Sequence, residues 1–311
     1  MTSYRNGALF LTLAALWGSA FMAIKAGLAY FPPVLFAAIR YDIAGVVMFG
    51  YAVVATDRWR PRTRREWGAV VTGATLLIAS YHAFLFVGEQ GTTSAAAAVI
   101  VSLSPVLTTG FARALLPGER LTLIGTVGLL CGLAGVVVIA RPDPSNLLTA
   151  SVLSKALVLV ATISFALGSV LTQRLDAALP IETMEAWSML GGALLLHAVS
   201  LALPAESLAA IQWTTEAVAA LAYLSIAASA VGFLLYFDLL DRLGSIEINL
   251  VSYVAPVFAA LTGFLFLGEV IDAYTVLGFC VIVIGFTLVK RDAIRAELPR
   301  LRTAVFGGKS E

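Results

Sequence analysis

Apolar residues along this chain gather in long runs separated by short polar connections. A window of roughly 20 apolar residues is the length of helix that crosses about 30 Å of hydrocarbon. Ten such windows fit: Ala8 to Leu28, Val34 to Ala55, Trp67 to Val87, Thr92 to Phe111, Leu121 to Ala140, Val152 to Leu171, Ile181 to Leu203, Ala217 to Leu240, Ile246 to Leu267 and Tyr274 to Val289. Pro32 with Pro33, Pro117-Gly118, Pro142 with Pro144, and Pro180 break the chain between them. No connection has room for a soluble domain. The pattern predicts an all-α polytopic membrane protein with ten transmembrane helices.

Composition agrees: 60% of the 311 residues are apolar, 13% are charged, and the mean hydropathy is +0.93, far from the usual globular mix. The first apolar stretch has no small-residue cleavage site and more spans follow it, so it reads as a retained helix. The two cysteines, Cys131 and Cys280, lie inside apolar runs, where a thiol packs more often than it reacts.

Charge sets the expected orientation. The segment between the second and third spans carries Arg58, Arg60, Arg62, Arg64 and Arg65, and the C-terminal segment carries Lys290, Arg291, Arg295, Arg300, Arg302 and Lys309. Positive loops stay cytoplasmic. With ten spans both segments fall on that side, so both termini are expected in the cytoplasm.

The chain also repeats itself. A shift of 150 places Gly118-Glu119 on Gly268-Glu269, Gly128 on Gly278, Gly135 on Gly285, and Trp17-Gly18-Ser19 on Leu167-Gly168-Ser169. A shift of 151 places Pro105-Val106 on Pro256-Val257. Each half holds five spans, and an odd number forces the second copy to enter the membrane from the opposite face. The expected organisation is a first repeat over 1–140, a second, inverted one over 141–290, and a basic cytoplasmic tail over 291–311. Inverted repeats are the mark of alternating-access carriers that hold substrate near the midplane.

Pro105 and Pro256 each leave a carbonyl without its helical donor, that of Val101 and of Ser252, and tend to kink their helices. Such a gap is tolerated at membrane depth where protein or a water-lined cavity receives it. Glu119 and Glu269, just ahead of the fifth and tenth spans, read as anchors of those helix starts.

Taken together, Trp17-Gly18-Ser19-Ala20-Phe21, Arg40, Ser104-Pro105-Val106, Ala255-Pro256-Val257, Gly118-Glu119-Arg120 and Gly268-Glu269 resemble EamA-type carriers of the drug/metabolite transporter superfamily. The resemblance covers nearly the whole chain. Two positions depart from internal symmetry: Val270 stands where the first half has Arg120, and Leu167 replaces the tryptophan. The resemblance implies secondary transport of small metabolites, often export of amino acids across the bacterial inner membrane, with no cofactor.

Candidate substrate residues are polar or aromatic groups on inward faces. His82 shares a helical face with Thr75, Ala79 and Phe86, with Tyr81 beside it. It is either a packed core histidine or a group that handles substrate or protons. Ser94, Ala98, Ser102, Pro105 and Thr109 form a small and polar stripe on the fourth span. Asn249, Tyr253, Pro256 and Ala260 repeat it on the ninth, as cavity walls or as close helix packing. Charges inside the membrane carry a functional hypothesis by default. Arg40 is the favoured one, as counter-charge to a substrate carboxylate or as partner of a buried acid; Asp42, Lys25 and Glu247 are the others. Trp17 and Trp187 are either aromatic platforms or interfacial anchors.

These aromatics are similar to the setting expected of the superfamily's aromatic amino acid exporters. The expectation is therefore an amino acid exporter for aromatic and other hydrophobic substrates, with a broader metabolite or drug exporter, or a channel, as the alternatives. The expected partners are a small-molecule substrate and membrane lipid, not nucleic acid. Neither a zinc-protease pattern after His82 or His197, nor Gly-x-Ser-x-Gly, nor a phosphate-binding loop is present. Gly128 and Gly132 form a Gly-x-x-x-Gly pair that serves either internal packing or dimerisation, so a monomer or weak homodimer is expected.

Overall fold

The structure, a computed structural model, describes residues 2–116, 123–141, 149–243, 248, 250–289 and 291. Asn249, Glu119, Arg120, Glu247 and the tail beyond Arg291 therefore lie outside the described residues. Among those described, eight helices are long and apolar enough to cross a membrane: α1 (Arg5–Gly27), α2 (Pro33–Ala55), α3 (Arg64–Glu89), α4 (Ser94–Leu115), α5 (Leu123–Ala140), α6 (Ala150–Leu175), α7 (Ile181–Ala202) and α8 (Thr215–Leu240). Two shorter apolar helices, α9 (Val251–Leu267) and α10 (Ala273–Val289), complete the ten.

Local chemistry fixes the ends of these helices. Thr63 and Glu66 form a reciprocal capping box at the start of α3. The hydroxyls of Thr93, Thr149 and Thr214 accept backbone N–H groups at the starts of α4, α6 and α8. Pro33 opens α2 from a position where its missing N–H costs no bond.

Three helices depart from regularity. α4 breaks at Ser102-Leu103, and Pro105 sits in the first turn of the segment that resumes at Ser104. α9 carries Pro256 in its interior without a break, so the matched prolines do different things in the two halves. α3 and α8 take the wider π form over Gly73–Ser80 and Tyr223–Val231, positions that the shift of 150 superposes. A π turn inserts a residue and re-aims the side chains after it, and such segments gather at functional sites.

The helices pack in exchanged pairs. α1 lies against α8 and α9, α6 against α3 and α4, α2 against α7 and α8, α7 against α2 and α3, and α5 against α10. The last pair packs backbone against backbone. A Cβ on Gly128 would lie 2.7 Å from the carbonyl oxygen of Gly285, and one on Gly135 would lie 2.7 Å from that of Gly278. Numbering rises along α5 as it falls along α10, so the two helices are antiparallel. The Gly-x-x-x-Gly pair is spent inside the molecule, Gly128 on α10 and Gly132 on Leu103 and Val106.

Caps exchanged between the halves close the end of the bundle where α1 finishes. The Glu206 carboxylate accepts the N–H groups of Val34 and Leu35 at the start of α2. Glu269 does the same for Ser94 at the start of α4, at 2.9 and 3.2 Å. This corrects the sequence expectation for Glu269. Gly268, with φ of 66°, ends α9 and turns Glu269 back onto α4, while α10 is capped by Asp272, which accepts from Tyr274 and Thr275.

Candidate substrate site

Arg40 and Tyr41 on α2, His82 on α3 and Ser229 in the π segment of α8 meet in one buried cluster. Arg40 is 6% exposed; its Nε and Nη2 donate to Ser229 Oγ at 3.2 and 3.1 Å. The guanidinium also lies 5.1 Å from the Tyr41 ring centre and 6.0 Å from that of Phe86. No carboxylate of the described residues comes within ion-pair distance of it.

His82 has both ring nitrogens engaged. Nδ1 lies 2.9 Å from the carbonyl of Ile78, which can only accept, and Nε2 lies 2.7 Å from the Tyr41 hydroxyl. In the neutral ring the proton sits on Nδ1, and Tyr41 donates to Nε2. The Tyr81 ring is 4.5 Å from His82 and 5.3 Å from Phe165, so the wall beside Arg40 is aromatic.

Trp17 belongs to the adjoining wall between α1 and α8. Its Nε1 donates to the Ala228 carbonyl at 3.1 Å, and its ring stacks on Tyr236 and meets Phe233 edge-on. Ser19 and Tyr223 share a hydrogen bond of 2.6 Å on the same interface. Ser225 Oγ, one helical turn from Ser229, is buried without a hydrogen-bond partner among the described residues.

The other described sequence candidates are not brought to this cluster. Trp187 donates to the Trp59 carbonyl at 2.9 Å and packs against Phe49 and Trp67, an anchor at the opposite end, where α7 begins. Ser102 Oγ is turned onto the Val99 carbonyl at the break in α4. The Tyr253 ring lies 4.6 Å from Phe286, with its hydroxyl buried and without a hydrogen-bond partner among the described residues. Pro105 is buried beside the break in α4. Pro256 helps line a groove of about 380 Å³ with Ala95, Val99 and residues of α9 and α10; Val257 on its wall is 58% exposed, so the groove opens on the apolar outer face. Asn249 is not described.

Lys25 and Asp42 are also accounted for. Lys25 donates to three carbonyls, those of Glu89, Gln90 and Thr92, at the turn from α3 to α4. Asp42 bonds His197 of α7 at 2.7 Å. The residues that sequence reading missed are Tyr41, Ser229 and Glu89. Tyr41 adjoins Arg40, and Ser225 with Ser229 makes an i, i+4 hydroxyl pair in the middle of an apolar stretch, which is the signal that was available.

Comparison with known sequences decides the family. The profile of the EamA-like transporter family matches the chain twice, over residues 5–141 and 153–291. The chain belongs to the EamA-like transporter family. It is 28% identical to the transporter YvbV of Bacillus subtilis (strain 168), over 92% of this chain and 91% of that protein. It is 29% identical to the inner membrane transporter YedA of Escherichia coli (strain K12), over 91% of this chain and 89% of that one. It also resembles a chloroplastic WAT1-related protein of Arabidopsis thaliana, at 27% identity over 88% of this chain and 66% of the relative. A solved crystal structure superposes with a TM-score of 0.65 at 24% identity, covering 94% of this chain and 99% of the other; at that identity the likeness speaks for the fold. The protein is thus a multi-pass membrane protein of a transporter family.

Proposed function

We propose that this protein is a secondary carrier that exports amino acids, aromatic and other hydrophobic ones above all, by alternating access between two inverted five-helix repeats. The observation that carries the reading is Arg40, a buried guanidinium whose hydrogen-bond partner is a serine hydroxyl and which has no carboxylate within ion-pair distance among the described residues. A substrate carboxylate placed there takes over from Ser229 with a bidentate, charge-assisted pair. The rings of Tyr41, Phe86 and Tyr81 then receive an apolar side chain.

The halves are read as residues 1–140 and 141–290. Their inversion is supported by the exchanged, antiparallel contacts of α5 and α10: a two-fold axis lying in the membrane plane exchanges Gly128 with Gly278 and Gly135 with Gly285. Arg40, His82 and Tyr41 are 6%, 5% and 1% exposed, which suits a closed state from which one end must open to load substrate. The arginine-rich segment after α2 and the basic sequence over 291–311 support the reading that both termini lie in the cytoplasm of a bacterium, with the protein in its inner membrane.

Binding to the purified protein tests the reading. Phenylalanine should bind the wild type and bind Arg40→Ala at least tenfold more weakly, about 1.4 kcal/mol. Phenethylamine, which lacks the carboxylate, should bind both poorly and alike. Equal phenylalanine affinity in the two proteins, or a preference for the amine, would favour a broader metabolite or drug exporter instead.

A further inference from the structure

Glu89 ends α3 with 0% of its surface exposed, and neither carboxylate oxygen has a hydrogen-bond partner among the described residues. In the turn that follows, Thr92 Oγ1 and Ser94 Oγ are also buried and without a hydrogen-bond partner among the described residues. A carboxylate stripped of water and of donors is far more costly as an ion than as a neutral acid.

None of the nearby charges among the described residues hydrogen-bonds it. Lys25 from α1, Glu269 from the turn before α10 and Arg40 from α2 all act on Glu89 through space. Lys25 has three N–H donors, and all three are committed to the carbonyls of Glu89, Gln90 and Thr92, at 2.8, 2.8 and 2.9 Å. Glu269 is held by Ser94 N–H, and the Nε and Nη2 donors of Arg40 are held by Ser229. From α6, Ser154 and Val158 pack beside the neighbouring Gly88, while Lys155 points away to the Ile139 carbonyl at 3.1 Å. On α3 itself, His82 is occupied by Tyr41 and Ile78.

We propose that Glu89 is the coupling-proton site of this carrier, binding a proton on one side of the membrane and releasing it on the other; this rests on the carrier reading above. Proton loss leaves a carboxylate whose nearest available cation is Lys25. Drawing the ammonium to Glu89 frees the three carbonyls it holds, and so loosens the joint of α1, α3 and α4 that Glu269 closes from the other half of the chain. Charge on Glu89 is thereby tied to opening at this end.

Infrared spectroscopy of the purified full-length protein at neutral pH tests the proton directly, without a substrate. The wild type should show the C=O stretch of a neutral carboxylic acid in weakly hydrogen-bonded surroundings, and Glu89→Gln should remove it while keeping the helical amide bands. A wild-type spectrum without that band, or a band that survives in Glu89→Gln, overturns the proposal. Transport in proteoliposomes tests the coupling. Glu89→Gln should keep phenylalanine counterflow and lose at least tenfold in accumulation driven by an imposed pH gradient. Gradient-driven accumulation that persists in the variant, or that is missing in a wild type with counterflow, overturns the coupling and leaves the carrier standing. Absence of wild-type counterflow overturns the carrier and the coupling together, and the infrared band alone then decides whether Glu89 holds the proton.

Discussion

The carbonyl oxygen of Gly285 on α10 stands 2.7 Å from where a Cβ of Gly128 on α5 would be, and Gly135 with Gly278 repeats the relationship. The four glycines allow two backbones to touch, the small-residue contact by which membrane helices associate. They also tie the repeat seen in the sequence to a spatial exchange, since each glycine faces the counterpart of the other. The helix pair becomes the seam between the halves.

Adding a methyl group at that seam should therefore be costly. Gly285→Ala or Gly135→Ala is expected to lower thermal stability in detergent by about 1–3 kcal/mol, the range of overpacking. Gly50→Ala, where a Cβ would meet nothing within 4 Å, is the control and should not destabilise. Equal melting temperatures for all three would remove the seam from the account.

The cap that Glu269 places on α4 makes a second prediction. Glu269→Ala strips the acceptor from Ser94 N–H and should cost about 0.5–2 kcal/mol. Gly268→Ala should destabilise through a different cause, the left-handed φ of 66° at that residue, worth about 1–2 kcal/mol. Thermal unfolding of each variant measures both, and neither effect should depend on the presence of substrate.

Much of this architecture was legible in the sequence, and the exceptions have physical reasons. Apolar length is an unambiguous signal, so the ten windows match the ten helices. The π segments over Gly73–Ser80 and Tyr223–Val231 leave no such trace, because one extra residue per turn changes neither length nor hydropathy. Glu269 was assigned to the wrong helix because its partner Ser94 is 175 residues away. Glu89 lies beyond the third window, which ends at Val87, so the search for polar groups inside apolar spans does not reach it. Trp187 and Trp17 look alike as sequence, and only packing separates an anchor beside Trp59 from a wall beside Tyr236. Arg40 and His82 were readable as intramembrane polar groups, but Tyr41 and Ser229, which hold them, were not singled out.

The hydrogen bond between Tyr41 and His82 supports a third prediction. Tyr41→Phe leaves His82 Nε2 buried without a donor, a loss of about 1–3 kcal/mol. Nitrogen NMR of histidine-labelled protein should find the wild-type His82 as the Nδ1-protonated tautomer. Finding the proton on Nε2 would contradict the assignment of donor and acceptor.

Asp272 supplies a pH dependence outside the membrane-spanning helices. Burial pushes its carboxyl up, but hydrogen bonds from the Thr275 N–H and hydroxyl, the Arg141 guanidinium 3.2 Å away and the Tyr274 N–H outweigh it and hold the carboxyl below its ordinary value. A depressed carboxyl contributes stability above its unfolded value, near pH 4, and loses it as pH falls through the folded one. Wild-type melting temperature should therefore drop more steeply below about pH 4 than that of Asp272→Asn. Parallel curves would assign the acid sensitivity to other groups.

The central claim, a carrier with its substrate at Arg40, is tested most directly by counterflow in proteoliposomes loaded with unlabelled phenylalanine and offered a labelled trace of it. The account predicts transient accumulation of label that phenylalanine supports and alanine, a sugar or an organic cation does not, and that Arg40→Ala abolishes. Flux that equilibrates without counterflow would mark a channel, and counterflow undiminished in Arg40→Ala would contradict the site.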